Sequence, residues 1–190
     1  MKRIVALAFV ILLTTCVVVA QNAPAAPMGQ GTQTAAKKPP LSPPGTAEFT
    51  FADGKKVTID YSRPYAKGRE IYGGLVPYDK VWRTGANTAT SLKTDVALDI
   101  NGTKVPAGSY TLYTLPSTGT WKLIVNKQTG QWGTVYKPEE DLARIDMQSS
   151  PLPTEVEQFT ISFEKKGGDE AQLNLDWVKT RESVTVKEAK

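Results

Sequence analysis

An antiparallel β-sandwich, jelly-roll-like and with at most one short helix, is the fold this sequence predicts. Three observations carry the prediction. Apolar residues recur at every second position in four separate stretches, glycine-containing turn pairs punctuate them, and helical apolar stripes are scarce. A single domain of roughly 100–200 residues accounts for most of the chain.

The alternating stretches come in order. Val57, Ile59 and Tyr61 alternate with Lys56, Thr58 and Asp60. Trp121, Leu123 and Val125 are offset from Lys122 and Ile124, and Phe159, Ile161 and Phe163 from Thr160 and Ser162. Leu173, Leu175 and Trp177 alternate with Asn174 and Asp176. One apolar face and one polar face suit strands that cover a core on one side and meet water on the other. Turn signals fall at Asp53-Gly54, Asn101-Gly102, Ser117-Thr118-Gly119, Thr129-Gly130 and Gly167-Gly168-Asp169. Asn101-Gly102 is the sharpest, because the two-residue hairpin turn that matches strand twist needs positive φ at both central positions. Its arms are expected at 96–100 and 103–105. Asn101-Gly102-Thr103 also spells a glycosylation acceptor, which the turn already explains. The one helical signal is Pro138-Glu139-Glu140-Asp141-Leu142, with Pro in the first turn and acids where the helix dipole favours them.

The N-terminus reads as an address. Lys2-Arg3 precede an apolar run from Ile4 to Ala20, and Val18-Val19-Ala20 offers a signal-peptidase site before Gln21. Residues 1–20 are therefore expected to be a cleaved signal peptide, making the protein exported, periplasmic or secreted. Membrane contact is expected only through this segment if it stays uncleaved. A lipoprotein modified at Cys16 is the weaker reading, since Thr14-Thr15 is a poor lipobox and apolar residues continue beyond the cysteine. Residues 21–45 are Pro-, Ala-, Gln- and Gly-rich, a composition that forbids helix and predicts a disordered linker. The sandwich domain is expected over 46–187.

Composition removes several chemistries. The chain has no histidine and one cysteine, Cys16, inside the expected leader. A His-containing triad, a His-ligated metal, a Cys nucleophile and a disulfide are excluded for a product lacking that leader. No metal and no cofactor is expected. Formal net charge is +4, two of the cations being Lys2 and Arg3, and Lys and Arg elsewhere are scattered among acids. Nucleic acid is therefore not an expected partner. Ser162-Phe163-Glu164-Lys165 has Ser-x-x-Lys spacing, but on a strand residues three apart point to opposite faces, so it cannot work as an acyl-enzyme pair.

The pattern breaks between Arg63 and Asn87. This long connection, rich in Gly, Pro, cations and aromatics, is where a site is expected, because long ordered loops are often functional. Arg63, Lys67, Arg69, Arg83 and Asn87 are expected to converge on a carboxylate, phosphate or sulfated sugar, guanidinium forks being matched to planar anions. Trp82, with Trp132 from Gln131-Trp132-Gly133, would add an aromatic face for a glycan. The competing reading has the loop crossing the end of the sandwich, with Trp82 and Leu75 plugging the core and each Arg satisfied internally.

Motifs in and after this loop resemble one bacterial family. They include Tyr61-Ser62-Arg63-Pro64, Gly73-Gly74-Leu75-Val76-Pro77-Tyr78 and Val81-Trp82-Arg83-Thr84-Gly85-Ala86-Asn87. Pro106-Ala107-Gly108-Ser109-Tyr110, Trp121-Lys122-Leu123-Ile124-Val125 and Gln131-Trp132-Gly133 continue the series. The family is that called domain of unknown function 2911, typically exported proteins, and the resemblance runs in order from about Ser42 to Val186. It implies membership and carries over no catalytic residue. The leading expectation is a non-catalytic exported or envelope-associated module that binds a small anionic or glycan ligand. The alternatives are a glycosidase-like hydrolase drawing on acids such as Asp60, Asp141, Asp146 or Asp176, with Arg clamps, and a purely structural module.

Overall fold

A computed structural model describes residues 41–190 of the chain. The expected signal peptide, with Cys16, and the linker positions 21–40 lie outside the described residues. The strands are β1 (Pro44–Thr50), β2 (Lys56–Ser62), β3 (Thr90–Thr94), β4 (Leu98–Ile100) and β5 (Thr103–Val105). They continue as β6 (Gly108–Leu115), β7 (Lys122–Asn126), β8 (Asp141–Asp146), β9 (Gln148–Gly167) and β10 (Glu170–Glu188). Two antiparallel sheets result, ordered β1-β2-β3-β6-β7-β8 and β5-β4-β10-β9. This is the expected all-β sandwich.

Its core comes from the alternations. Val57, Ile59 and Tyr61, then Leu123 and Val125, then Phe159 and Ile161, then Leu173, Leu175 and Trp177 are all buried in one cluster between the sheets. The hairpin forms at Asn101-Gly102, with φ of 47° and 83°, joining β4 to β5. β1 begins ahead of Thr46: Pro44 and Gly45 already pair with Ser62 and Tyr61. As an edge strand β1 tolerates the missing donor of its first residue, Pro44.

Two local departures have physical causes. The expected helix is only a 3₁₀ turn at Pro138–Glu140, because Asp141 takes extended backbone and enters β8 opposite Asn126. Ile124, on the polar face of its alternation, is fully buried, as are Tyr113 and Thr111 on neighbouring β6. The connection from Lys127 to Glu140 covers that outer face. Tyr113 donates to the Val135 carbonyl (2.7 Å), Thr111 to the Gln128 carbonyl (2.7 Å), and Gln131 Nε2 to the Tyr113 hydroxyl (2.9 Å).

Candidate functional site

The cationic loop between β2 and β3 is fastened to the sandwich by its backbone. Phe159 N–H donates to the Pro64 carbonyl (2.9 Å) and Ala66 N–H to the Glu157 carbonyl (2.8 Å), tying the loop to β9. Trp82 and Thr114 exchange both N–H···O bonds at 2.8 and 2.9 Å, tying it to β6. Ala66, Ile71 and Val76 enter the core and Tyr72 and Trp82 pack against it, while Leu75, expected with Trp82 as a plug, is 47% exposed. Val76 N–H bonds the Ile71 carbonyl (2.7 Å), closing a turn that sends both of those side chains inward and leaves Leu75 at the top.

Between this loop and the sheets lies an open cleft of about 470 Å³. Half-buried Trp82 stands in its wall, and the fully buried Trp177 stacks behind it with rings 5.7 Å apart and 15° between their planes. Phe159 packs edge-on against Trp82 from the core side, at 5.0 Å. Lys67, Arg69 and Arg83 supply the charge, and no Asp or Glu lines the cleft. Among the described residues, none of these three cations takes part in an ion pair.

Each cation is held differently. Arg69 donates through Nε to the Ala66 carbonyl (2.9 Å) and through Nη2 to the Tyr65 carbonyl (2.5 Å), so the loop orients it. The backbone N–H of Lys67 bonds Glu157 Oε1 (2.8 Å), which fixes its Cα and leaves its ammonium in solvent. Arg83 is half-buried, and its Nε has no hydrogen-bond partner despite being shielded from solvent. The stem of Arg83 lies directly on Gly133, where a Cβ would overlap its Cδ and come within 2.7 Å of the Asn87 carbonyl oxygen. Only glycine leaves Arg83 that place.

Backbone strain gathers around the cleft. Lys67, Thr84 and Asn87 have φ of 51°, 54° and 59°, and Val178, beside Trp177, has 49°. For β-branched Thr and Val this is a true outlier, costing on the order of 1–3 kcal/mol each. Surrounding contacts hold Thr84 in place: its carbonyl accepts from Thr90 Oγ1 (2.8 Å), and its hydroxyl lies 3.3 Å from Thr114 Oγ1. Such strain persists where the surroundings over-determine it, and it clusters at binding sites.

Five of the seven expected site residues line the cleft: Lys67, Arg69, Trp82, Arg83 and Asn87. Arg63 does not. It turns to β9, donating to the Phe159 carbonyl (3.3 Å) and Thr160 Oγ1 (3.0 Å), and clamps the end of β2. Trp132 stands beside the cleft without lining it; it bridges to Thr88 through the backbone, the residue is 55% exposed, and its neighbour Gly133 backs Arg83. Trp177, Tyr65, Leu75, Leu41 and Ser42 also line the cleft. Trp177 sits at the end of a core alternation, so nothing in its local sequence distinguishes it from a purely structural residue.

The acids weighed for a glycosidase pair are engaged elsewhere. Asp60 accepts from Thr46 (2.5 Å), Asp146 pairs with Lys122 (2.5 Å), and Asp176 takes a two-pronged bond from Arg181 (2.7 and 2.6 Å). Asp141 binds Arg144 and Tyr136, whose hydroxyl is pushed up to about 12, by burial first and by the Asp141 carboxylate second. Among the described residues no group of three acids, histidines or cysteines is placed to hold a metal.

Fold and cleft together define an antiparallel β-sandwich protein with an open, cation-lined cleft, walled in part by Trp82, under one long loop. The chain belongs to the family described as Protein of unknown function (DUF2911), which it matches over residues 42–186. Comparison with curated proteins and with solved structures gives no match.

Proposed function

We propose that this protein is an exported, non-catalytic binding module of the cell envelope, whose cleft captures a small anionic ligand such as a carboxylate, a phosphate or an acidic sugar. One observation carries the reading: three cations face a single cleft without a carboxylate among its lining residues, and one of them keeps a shielded, unpartnered Nε. A shielded donor without an acceptor is costly, so Arg83 gains from a side-chain shift that brings Nε to an anion in the cleft. Trp82, backed by the buried Trp177, adds an aromatic face that orients a flat or apolar ligand body. Export is supported by the Lys2-Arg3 start, the apolar run and the small residues ending at Ala20.

Thermal shift against phosphate, sulfate, citrate and galacturonate tests the reading. A ligand at a hundred times its Kd stabilises the fold by about 2.7 kcal/mol, which raises Tm by several degrees in a domain of this size. Arg83→Ala is expected to abolish the rise, and Arg83→Met, which keeps the stem packed on Gly133, to do the same. Indifference of the parent protein to every anion would sink the proposal.

A further inference from the structure

From the composition of the cleft wall we infer that its ligand is amphiphilic: a phosphate or carboxylate head carried on an apolar body. This rests on the anion-binding reading above and narrows it. The cations occupy only part of the cleft. Apart from the polar Ser42 and Asn87, much of the rest is apolar: Leu41, Leu75 and Trp82 reach the surface of the cleft, with Pro64, Val76 and Trp177 buried behind them. A cleft of about 470 Å³ lies in the range that encloses a drug-sized ligand, far larger than a bare oxyanion. Leu41 and Leu75 are 74% and 47% exposed, and they stand at the cleft rather than being scattered.

Exposed leucines are common singly on any surface, so exposure alone means little. Here two of them border the same cationic cleft that Trp82 walls. A hydrophilic anion leaves that wall in water, whereas an alkyl or aryl body covers it. Each methylene so covered is worth about 0.8 kcal/mol, or about fourfold in affinity. Arg69 is held by backbone carbonyls at the loop turn, so the head has a fixed place.

Isothermal titration with inorganic phosphate, then butyl, hexyl and octyl phosphate below their micellar concentrations, reads the inference directly. Quenching of tryptophan emission gives a second readout at Trp82. Affinity is expected to climb by roughly threefold or more per added methylene until the wall is covered. Leu75→Ser is expected to weaken octyl phosphate much more than inorganic phosphate. Leu142→Ser, at an exposed leucine on β8 outside the cleft, is expected to leave the series as in the parent. A series that binds at every length with equal affinity overturns this inference and leaves anion binding standing. No binding by any member, inorganic phosphate included, overturns both. Sedimentation with phosphatidylglycerol vesicles separates the two sources of such a head. Capture of monomer and vesicle together points to a lipid, and capture of monomer alone to a free amphiphile. Binding to vesicles without capture of monomer overturns the inference, because it needs only surface charge.

Discussion

Two connections in this sandwich are long and irregular, and they treat their polar groups in opposite ways. The segment from Lys127 to Glu140 lies across the outer face of the larger sheet and is bonded inward. Asn126 beneath it donates to the Lys137 carbonyl and to Asp141 Oδ1, both at 2.9 Å, and accepts from Gln128 N–H at 3.0 Å. Asp141, Tyr136 and Arg144 close a three-way network at 2.6–2.9 Å. The buried side-chain atoms that region leaves without partners are neutral, the amide oxygens of Gln128 and Gln131. The loop from Arg63 to Asn87 is bonded to the sheets just as firmly by its backbone, yet three of its cations, Lys67, Arg69 and Arg83, line the cleft outside any ion pair among the described residues, beside strained residues. Ordered backbone with unsatisfied charge distinguishes a site from a strap.

The largest expected effect breaks the strap. Asn126→Ala removes three hydrogen bonds from a fully buried position and strands a carbonyl, an amide N–H and a carboxylate oxygen. A loss of about 2–4 kcal/mol is expected, measured by urea unfolding. Anion binding in the folded fraction is expected to match the parent. A stable variant would mean that the outer segment contributes little, and the contrast between the two regions would fail.

Gly133→Ala joins the regions. Gly133 belongs to the strap, but its missing Cβ is what lets Arg83 lie flat beside the cleft. Its φ is not in the left-handed region, so alanine adds no conformational strain there and the effect is purely steric. The backbone oxygen of Asn87 is the rigid neighbour, and the loop has to shift. A stability loss of about 1–2 kcal/mol is expected, in the usual range for overpacking. Anion affinity is expected to fall by tenfold or more, read by titration. Retained affinity would show that Arg83 is not the ligand's anchor.

How far these contrasts were legible in the sequence follows from the same physics. Period-two alternation is set by the backbone, so Val57-Ile59-Tyr61 and Leu173-Leu175-Trp177 announced their faces. Asn101-Gly102 announced its hairpin because few residues accept positive φ in succession. The cation-rich loop was visible as a break in period, and five of its expected ligand residues do share the cleft. Where each loop side chain points was not visible. Arg63 finds its partners on Phe159 and Thr160, nearly a hundred residues away, and no local pattern encodes that distance. Leu75 and Val76 are adjacent and both apolar, and the turn alone decides which is buried. Ile124 within Lys122–Asn126 did hint at the strap, since an isoleucine on a polar face needs a cover.

A second charged side chain with an orphaned buried atom lies away from the cleft, and it gives the smallest predicted effect. Glu182 is fully buried on β10, accepts a hydrogen bond from Ser149 through Oε1, and has no partner for Oε2. Unlike Arg83 it lines no cleft, so no ligand can reach it. Burial instead pushes its carboxyl above the usual carboxylate range, and the hydrogen bond from Ser149 only partly opposes that. A raised folded-state pKa means the folded protein holds the proton more tightly than the unfolded chain. The stabilisation is therefore complete below the ordinary carboxylate pKa and is lost as pH rises through the folded value. Glu182→Gln keeps the acceptor for Ser149 and removes the titration. The variant is expected to match the parent's Tm at pH 4 and to exceed it by a degree or two at pH 8, read by paired thermal melts. A parent more stable than the variant at pH 8 would mean that Glu182 is ionised and satisfied in the fold. An unpartnered atom would then be no guide to Arg83 either, and the case for the cleft would rest on its cations and their missing acids alone.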